Sequence, residues 1–233
     1  KKKNGDPIRI GISANSHKAV VNLLIEPGHL AEKEFAGLSP FYKVGSSDIP
    51  EGTECDILEY SRNLKDLKEN KLPHSVIGSV YQEFCKQVAV DSVDYLFIDE
   101  ASQISIANLV AAANCAENFV FLGDQMQLSN PIRGAHPEDS GLSILDYQLK
   151  DQATIPTDRG IFLPTTYRMH PDICSTISKM TYENKLSNHE STERYRIDMS
   201  DSKYGTEDQR ISFIPVPHEG NSQSSGEEVK KVK

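Results

Sequence analysis

Four short, continuously apolar runs punctuate the chain: "IRIGIS" at residues 8–13, "SVIGSV" at 75–80, "DYLFIDE" at 94–100 and "NFVFLGD" at 118–124. Runs of this length without polar alternation predict strands covered on both faces, as in a parallel sheet, because a strand with one wet face alternates apolar and polar positions. Between the first two runs the pattern turns polar. There "GSSDIPEG" (45–52) reads as a loop and "LEYSRNLKDLKENK" (58–71) as an exposed helix. After "IFLP" (161–164) the apolar spacing resumes. Ile173, Ile177 and Met180 recur at helical intervals within "YRMHPDICSTISKMTY" (167–182) and predict a helix packed on a sheet. Residues 188–209 are polar and rich in charge, the pattern of a loop or insertion. Near the end "RISFIPV" (210–216) reads as another strand, and Ser224 with Glu227 as the capping box of a following helix. No internal repeat is evident.

Composition narrows the class. A chain of 233 residues can bury a sizeable core. Its formal net charge of −9 argues against a non-specific electrostatic grip on nucleic acid by the whole surface, so any such contact must be local. Cys55, Cys85, Cys115 and Cys174 lie far apart with no C-x-x-C pair, which predicts reduced thiols and neither a disulfide framework nor a zinc site. No apolar run approaches the roughly twenty residues of a membrane span, and the N-terminal lysines are not followed by the apolar stretch of a secretory signal. These features predict a soluble, cytoplasmic protein without a membrane partner.

Candidate chemistry gathers at strand ends, where ligands bind in open α/β sheets. The run 94–100 ends in two adjacent carboxylates, Asp99 and Glu100, and burying either unpaired would cost several kcal/mol. An Asp there can hold Mg²⁺, and the neighbouring Glu can orient and deprotonate a water attacking a phosphoryl group. The alternative is a pair that merely ends a strand and caps a helix. The run 118–124 repeats the geometry with Gly123 and Asp124, which adds Asp124 to the cofactor-binding candidates. Gln127 can then hydrogen-bond a terminal phosphate or the attacking water, or else be satisfied within a local turn. In "TTYRMHP" (165–171) Tyr167 can stack on a base and Arg168 can neutralise charge on a transferring phosphate, although an Arg in this place can equally salt-bridge a helix start. His170 has no second ligand spaced to join it and reads as structural.

In this order the stretches resemble the motifs of superfamily 1 helicases, specifically the branch that moves 5′ to 3′ along single strands. "GISANSHKAVVNLL" is similar to motif Ia of that family, "FIDEASQ" to motif II, "LGDQMQLSNPI" to motif III and "TYRMHPDI" to motif IV. The longer stretches at 133–149 and 153–173 resemble bacterial helicases that carry a RecB-like nuclease domain ahead of the motor. The resemblance implies an α/β, RecA-like P-loop NTPase fold and the cofactors ATP and Mg²⁺. It also implies a single-stranded nucleic acid as partner, with DNA favoured over RNA. By the same resemblance Asp99 binds Mg²⁺, Glu100 is the catalytic base, Gln127 senses the γ-phosphate, Tyr167 stacks on adenine and Arg168 contacts the γ-phosphate from the second lobe. Ser13, Asn15, Ser16 and Ser79 fall near the nucleic-acid backbone. Ser129 stands where many relatives have proline.

One family element is missing from the chain: no G-x-x-x-x-G-K-S/T loop, whose amides and lysine cradle phosphates, occurs in it. The expectation is therefore a fragment that is inactive alone. Residues 1–157 would be a partial first RecA-like lobe and 158–233 the start of a second, beginning near Asp158, with the family's last motifs absent. Two other classes compete with a motor: a nucleic-acid or protein binding module without motor activity, and an ATPase that never acts on nucleic acid.

Overall fold

The computed structural model describes residues 7–34, 41–45, 56–69, 75–128, 134–150, 152–195, 211 and 213–232. The chain divides into two compact units, residues 1–152 and 153–233.

The first unit is built on β1 (Arg9–Ala14), β2 (Phe41–Val44), β3 (Leu58–Ser61), β4 (Ser75–Val80), β5 (Val93–Ile98) and β6 (Ala116–Phe121). They form one sheet in the order β3-β2-β4-β1-β5-β6. Every pairing is parallel. Helices α1 (His17–Glu34), α2 (Leu64–Glu69), α3 (Tyr81–Phe84), α4 (Ile106–Ala112) and α5 (Ile144–Leu149) supply the connections. This is the α/β, RecA-like architecture, and the four apolar runs are its strands β1, β4, β5 and β6. Leu96 and Ile98 of β5 pack in one core with Phe84, Ile104 and Ile144, and Val20 and Leu24 of α1 close a second with Ala14 and Phe41. Helix α1 rides so close to the sheet that a Cβ on Gly78 would lie 2.5 Å from a Leu24 methyl, which explains the glycine inside β4.

Two elements depart from the sequence pattern. The stretch expected to be an exposed helix begins instead as strand β3, pairing Phe41 with Leu58 and Val44 with Ser61. Among its described residues only Leu64–Glu69 is helical, and it is not simply exposed, since Leu64 and Leu67 are buried. Asn63 caps it through Oδ1, which accepts the Asp66 N–H at 3.0 Å. Strand β2 falls in the polar stretch because a lysine interrupts its run. Lys43 is fully buried, with Nζ donating to the Val44 carbonyl at 2.9 Å and 2.9 Å from His17 Nδ1.

The second unit contains β7 (Thr165–Thr166), α6 (Pro171–Thr181), β8 (Ser187–Asn188) and α7 (Gly226–Val232). β7 and β8 pair in parallel across α6. His170 caps α6, its Nδ1 accepting the Asp172 N–H, and Pro171 opens the first turn, where a missing N–H costs nothing. The buried face of α6 is Cys174 and Ser178, while Met180, expected on the packed face, is 77% exposed. Of the strand expected at 210–216, the described residues, Ile211 and 213–216, take no regular structure, and Phe213 is 91% exposed. A strand is stable only with a neighbour to pair with. The cap of α7 is one residue later than expected, Ser225 Oγ accepting the Glu228 N–H at 3.2 Å.

Among the described residues, Cys85, Cys115 and Cys174 are free thiols, and burial pushes the Cys115 thiol up to about 11. Cys55, Ser129 and most of the loop 45–52 lie outside the described residues. No helix among the described residues is long and apolar enough to cross a membrane.

Candidate functional site

In the first unit, parallel register sets the carboxylates. The Asp99 N–H donates to the Ser13 carbonyl at 2.8 Å, extending the β1–β5 pairing, and the Ala101 N–H donates to the Leu122 carbonyl at 2.9 Å, extending β5–β6. Asp99-Glu100 and Gly123-Asp124 therefore leave adjacent strand ends side by side. A Cβ on Gly123 would lie 3.0 Å from the Ala101 nitrogen and 3.4 Å from that of Ser102, backbone atoms that cannot yield, so only glycine fits this approach. Among the described residues, neither the Asp99 nor the Glu100 carboxylate has a hydrogen-bond donor or a cation as partner, and both are half-buried. Glu100 also takes a left-handed backbone (φ 53°), which costs a non-glycine residue about 1–2 kcal/mol. Among the described residues five other non-glycine residues have a positive φ, so its place at the strand end is what sets Glu100 apart.

The second strand end is tied down locally. Asp124 Oδ1 accepts the Met126 N–H at 3.0 Å, and Asp124 Oδ2 accepts the Gln127 side-chain amide at 3.2 Å. Gln127 is thus held in the turn by the carboxylate beside it.

The four residues expected along nucleic acid separate into two pairs. Ser13 and Ser79 are buried; Ser79 Oγ donates to the Val44 carbonyl, and the Ser13 hydroxyl has no partner among the described residues. Asn15 and Ser16 are exposed at the start of α1. Ser16 Oγ accepts the Ala19 N–H at 3.2 Å, and Asn15 Nδ2 donates to Gln103 Oε1 at 2.6 Å. That last bond joins the β1 strand end to the turn after Glu100, and sequence reasoning missed Gln103 because its partner is 88 residues away.

In the second unit Tyr167 and Arg168 follow β7, both exposed. Among the described residues the Arg168 guanidinium has no hydrogen-bond or ion-pair partner; only its backbone N–H is engaged, by Thr166 Oγ1. The Tyr167 ring stacks on His189, with centroids 4.4 Å apart, and the Tyr195 hydroxyl donates to the Tyr167 carbonyl at 3.2 Å. His189 and Tyr195 carry no motif spacing that marks them in the sequence.

A family model described as "AAA domain" matches residues 143–233. The chain is 28% identical over 179 residues to the DNA replication ATP-dependent helicase/nuclease DNA2 of Gallus gallus, an alignment covering 75% of the chain and 17% of that relative. It is 32% identical over 143 residues to the DNA replication ATP-dependent helicase/nuclease dna2 of Schizosaccharomyces pombe, covering 59% of the chain and 9% of the relative. The probable helicase MAGATAMA 3 of Arabidopsis thaliana is 34% identical over 94 residues, 40% of the chain and 11% of the relative. These relatives are named as helicases, which supports the resemblance of the chain's motifs to those of superfamily 1 helicases. The chain spans less than a fifth of the length of these relatives. The stretches that resemble motifs II and III fall on the neighbouring ends of β5 and β6, the one that resembles motif Ia on the turn from β1 into α1, and the one that resembles motif IV on the turn from β7 into α6.

Among the described residues no cluster of three or more His, Cys, Asp or Glu side chains is placed to hold a metal unaided. The partnerless oxygens of Asp99 and Glu100 nevertheless fit a hard, oxygen-seeking cation that takes one or two carboxylates and completes its shell with phosphate and water.

Proposed function

We propose that the full-length protein is an ATP-dependent helicase or translocase that couples ATP hydrolysis to movement along single-stranded nucleic acid, DNA in preference to RNA, in the cytoplasm. The observation that carries this reading is the pair Asp99-Glu100 at the end of β5 beside Gly123-Asp124, whose two carboxylates have no partner among the described residues. The side chains of a structural pair that only ended a strand would be expected to accept hydrogen bonds from the turn they cap; the Asp124 carboxylate does so, and among the described residues the Asp99 and Glu100 carboxylates do not.

In this reading Asp99 holds Mg²⁺, which neutralises charge on the phosphates of ATP when bound. Glu100 accepts the proton of the attacking water as the water oxygen bonds to the γ-phosphorus and ADP departs. Gln127 exchanges its bond to Asp124 for one to the γ-phosphate or to that water, and so reports the nucleotide state to the loop. Tyr167 stacks on adenine, and Arg168 places its forked donors on the γ-phosphate. Asn15 and Ser16 meet the strand backbone, and the Asn15–Gln103 bond ties that contact to the catalytic strand end. Residues 1–157 form most of one RecA-like lobe and 158–233 begin the other. The names of two of the relatives support a nuclease domain in the same full-length chain.

Phosphate release by the full-length protein, with and without single-stranded DNA, tests the reading. Stimulation of about tenfold or more is expected of a motor whose two ligands are coupled by 1–3 kcal/mol. Hydrolysis indifferent to the strand would leave an ATPase that does not act on nucleic acid, and strand binding without hydrolysis a binding module.

A further inference from the structure

Tyr167 is held more firmly than its exposed position suggests. The β7–β8 register pairs Thr166 with Asn188, so Tyr167 and His189 leave the two strands side by side, with the His189 N–H donating to the Thr166 carbonyl at 2.9 Å. Their rings are 26° from parallel at 4.4 Å. The imidazole is itself fixed. Its Nδ1 accepts the Ser191 N–H at 3.2 Å and lies 2.9 Å from Ser191 Oγ. Accepting from an amide requires a bare Nδ1, which puts the proton of the neutral ring on Nε2. With Tyr195 bound to its carbonyl, Tyr167 is restrained at the backbone and on one ring face, yet it remains 63% exposed. A planar ligand that stacks on a ring already immobilised loses less conformational entropy than one that must order it.

We infer that His189 is the positioning residue of the nucleotide's base site: it fixes the Tyr167 ring so that a purine completes a His–Tyr–purine stack, with the phosphates reaching toward the Arg168 guanidinium. The inference rests on the reading of Tyr167 as the base-stacking residue. A second role for His189 is visible, because it also caps the short turn Glu190–Arg194. The two roles separate by substitution. His189→Asn keeps a side-chain oxygen for the Ser191 N–H and loses the ring; His189→Phe keeps a ring and loses the cap.

The measurement is the ratio of ATP affinity to inorganic tripolyphosphate affinity in the full-length protein with Mg²⁺, which isolates the base; unchanged tripolyphosphate binding confirms that each variant is folded. Tyr167→Ala should lower the ratio about tenfold, the loss expected of one base–aromatic stack. His189→Asn should lower it about threefold, and His189→Phe should stay within about twofold of wild type. A normal ratio in His189→Asn, or a fall in His189→Phe as large as in His189→Asn, would overturn the positioning role and leave only the cap. A normal ratio in Tyr167→Ala would instead overturn the base-stacking reading, and the proposal with it.

Discussion

The two units hold their candidate functional residues by different means. In the first, parallel pairing runs past the strand ends, so Asp99, Glu100 and Asp124 are placed by the sheet itself, over a core of Leu96, Ile98, Phe84 and Ile104. In the second, the buried residues among those described are Thr154, Cys174, Ser178 and Thr192, and none is a large aliphatic. Its order comes from polar ties. Ser178 Oγ accepts the Leu186 N–H, Thr192 Oγ1 donates to the His189 carbonyl, and Tyr167 leans on His189. Hydrogen bonds net about 1 kcal/mol each, whereas a fully buried Leu contributes more. The carboxylates proposed for catalysis therefore sit on the stiffer element, and the residues proposed for base and γ-phosphate sit on one that local changes can move.

The largest expected effect breaks the second side of that contrast. In the full-length protein Arg168→Ala should slow single-turnover hydrolysis about a thousandfold or more, and Arg168→Lys should not restore it, because an ammonium lacks the forked donors. Unchanged rates would make Arg168 a structural residue. Next in size is stability: Leu96→Ala, at a site fully buried in β5, should lower unfolding free energy by about 2–5 kcal/mol, while Met180→Ala should stay within about 0.5 kcal/mol. Urea denaturation compares the two, and equal losses would remove the distinction between the cores.

The smallest effect concerns a single polar tie. Lys185 donates to Glu183 and to Thr154, and that hydrogen bond and charge hold the Glu183 carboxyl below the usual carboxylate range. A carboxyl depressed in the folded state contributes stability above its unfolded pKa and loses it as the pH falls through the lower folded value. NMR titration should find Glu183 below the ordinary range, and Lys185→Ala should return it there; no change would dissolve the tie.

What could be read from the sequence follows the same division. β1, β4, β5 and β6 were legible because strands buried on both faces are continuously apolar, and that signal needs no partner to be known. β2 hides behind Lys43, whose charge is satisfied by a neighbouring carbonyl and His17, and β3 behind a leucine spacing that also suits a helix. The run 210–216 has the composition of a strand, but its described residues pair with no strand among the described residues. Chemistry-bearing residues were named where carboxylates or an arginine end an apolar run. Gln103 and His189 act through contacts that sequence spacing does not encode, the first across 88 residues and the second through a ring stack at a strand end.

The central claim is that the pair at the end of β5 performs hydrolysis. Glu100→Gln in the full-length protein, measured for ATP binding and for strand-stimulated turnover on one preparation, tests it most directly. The amide keeps the shape and loses the base, so affinity should stay within about twofold while turnover falls about a hundredfold or more. Wild-type turnover in that variant would contradict the assignment.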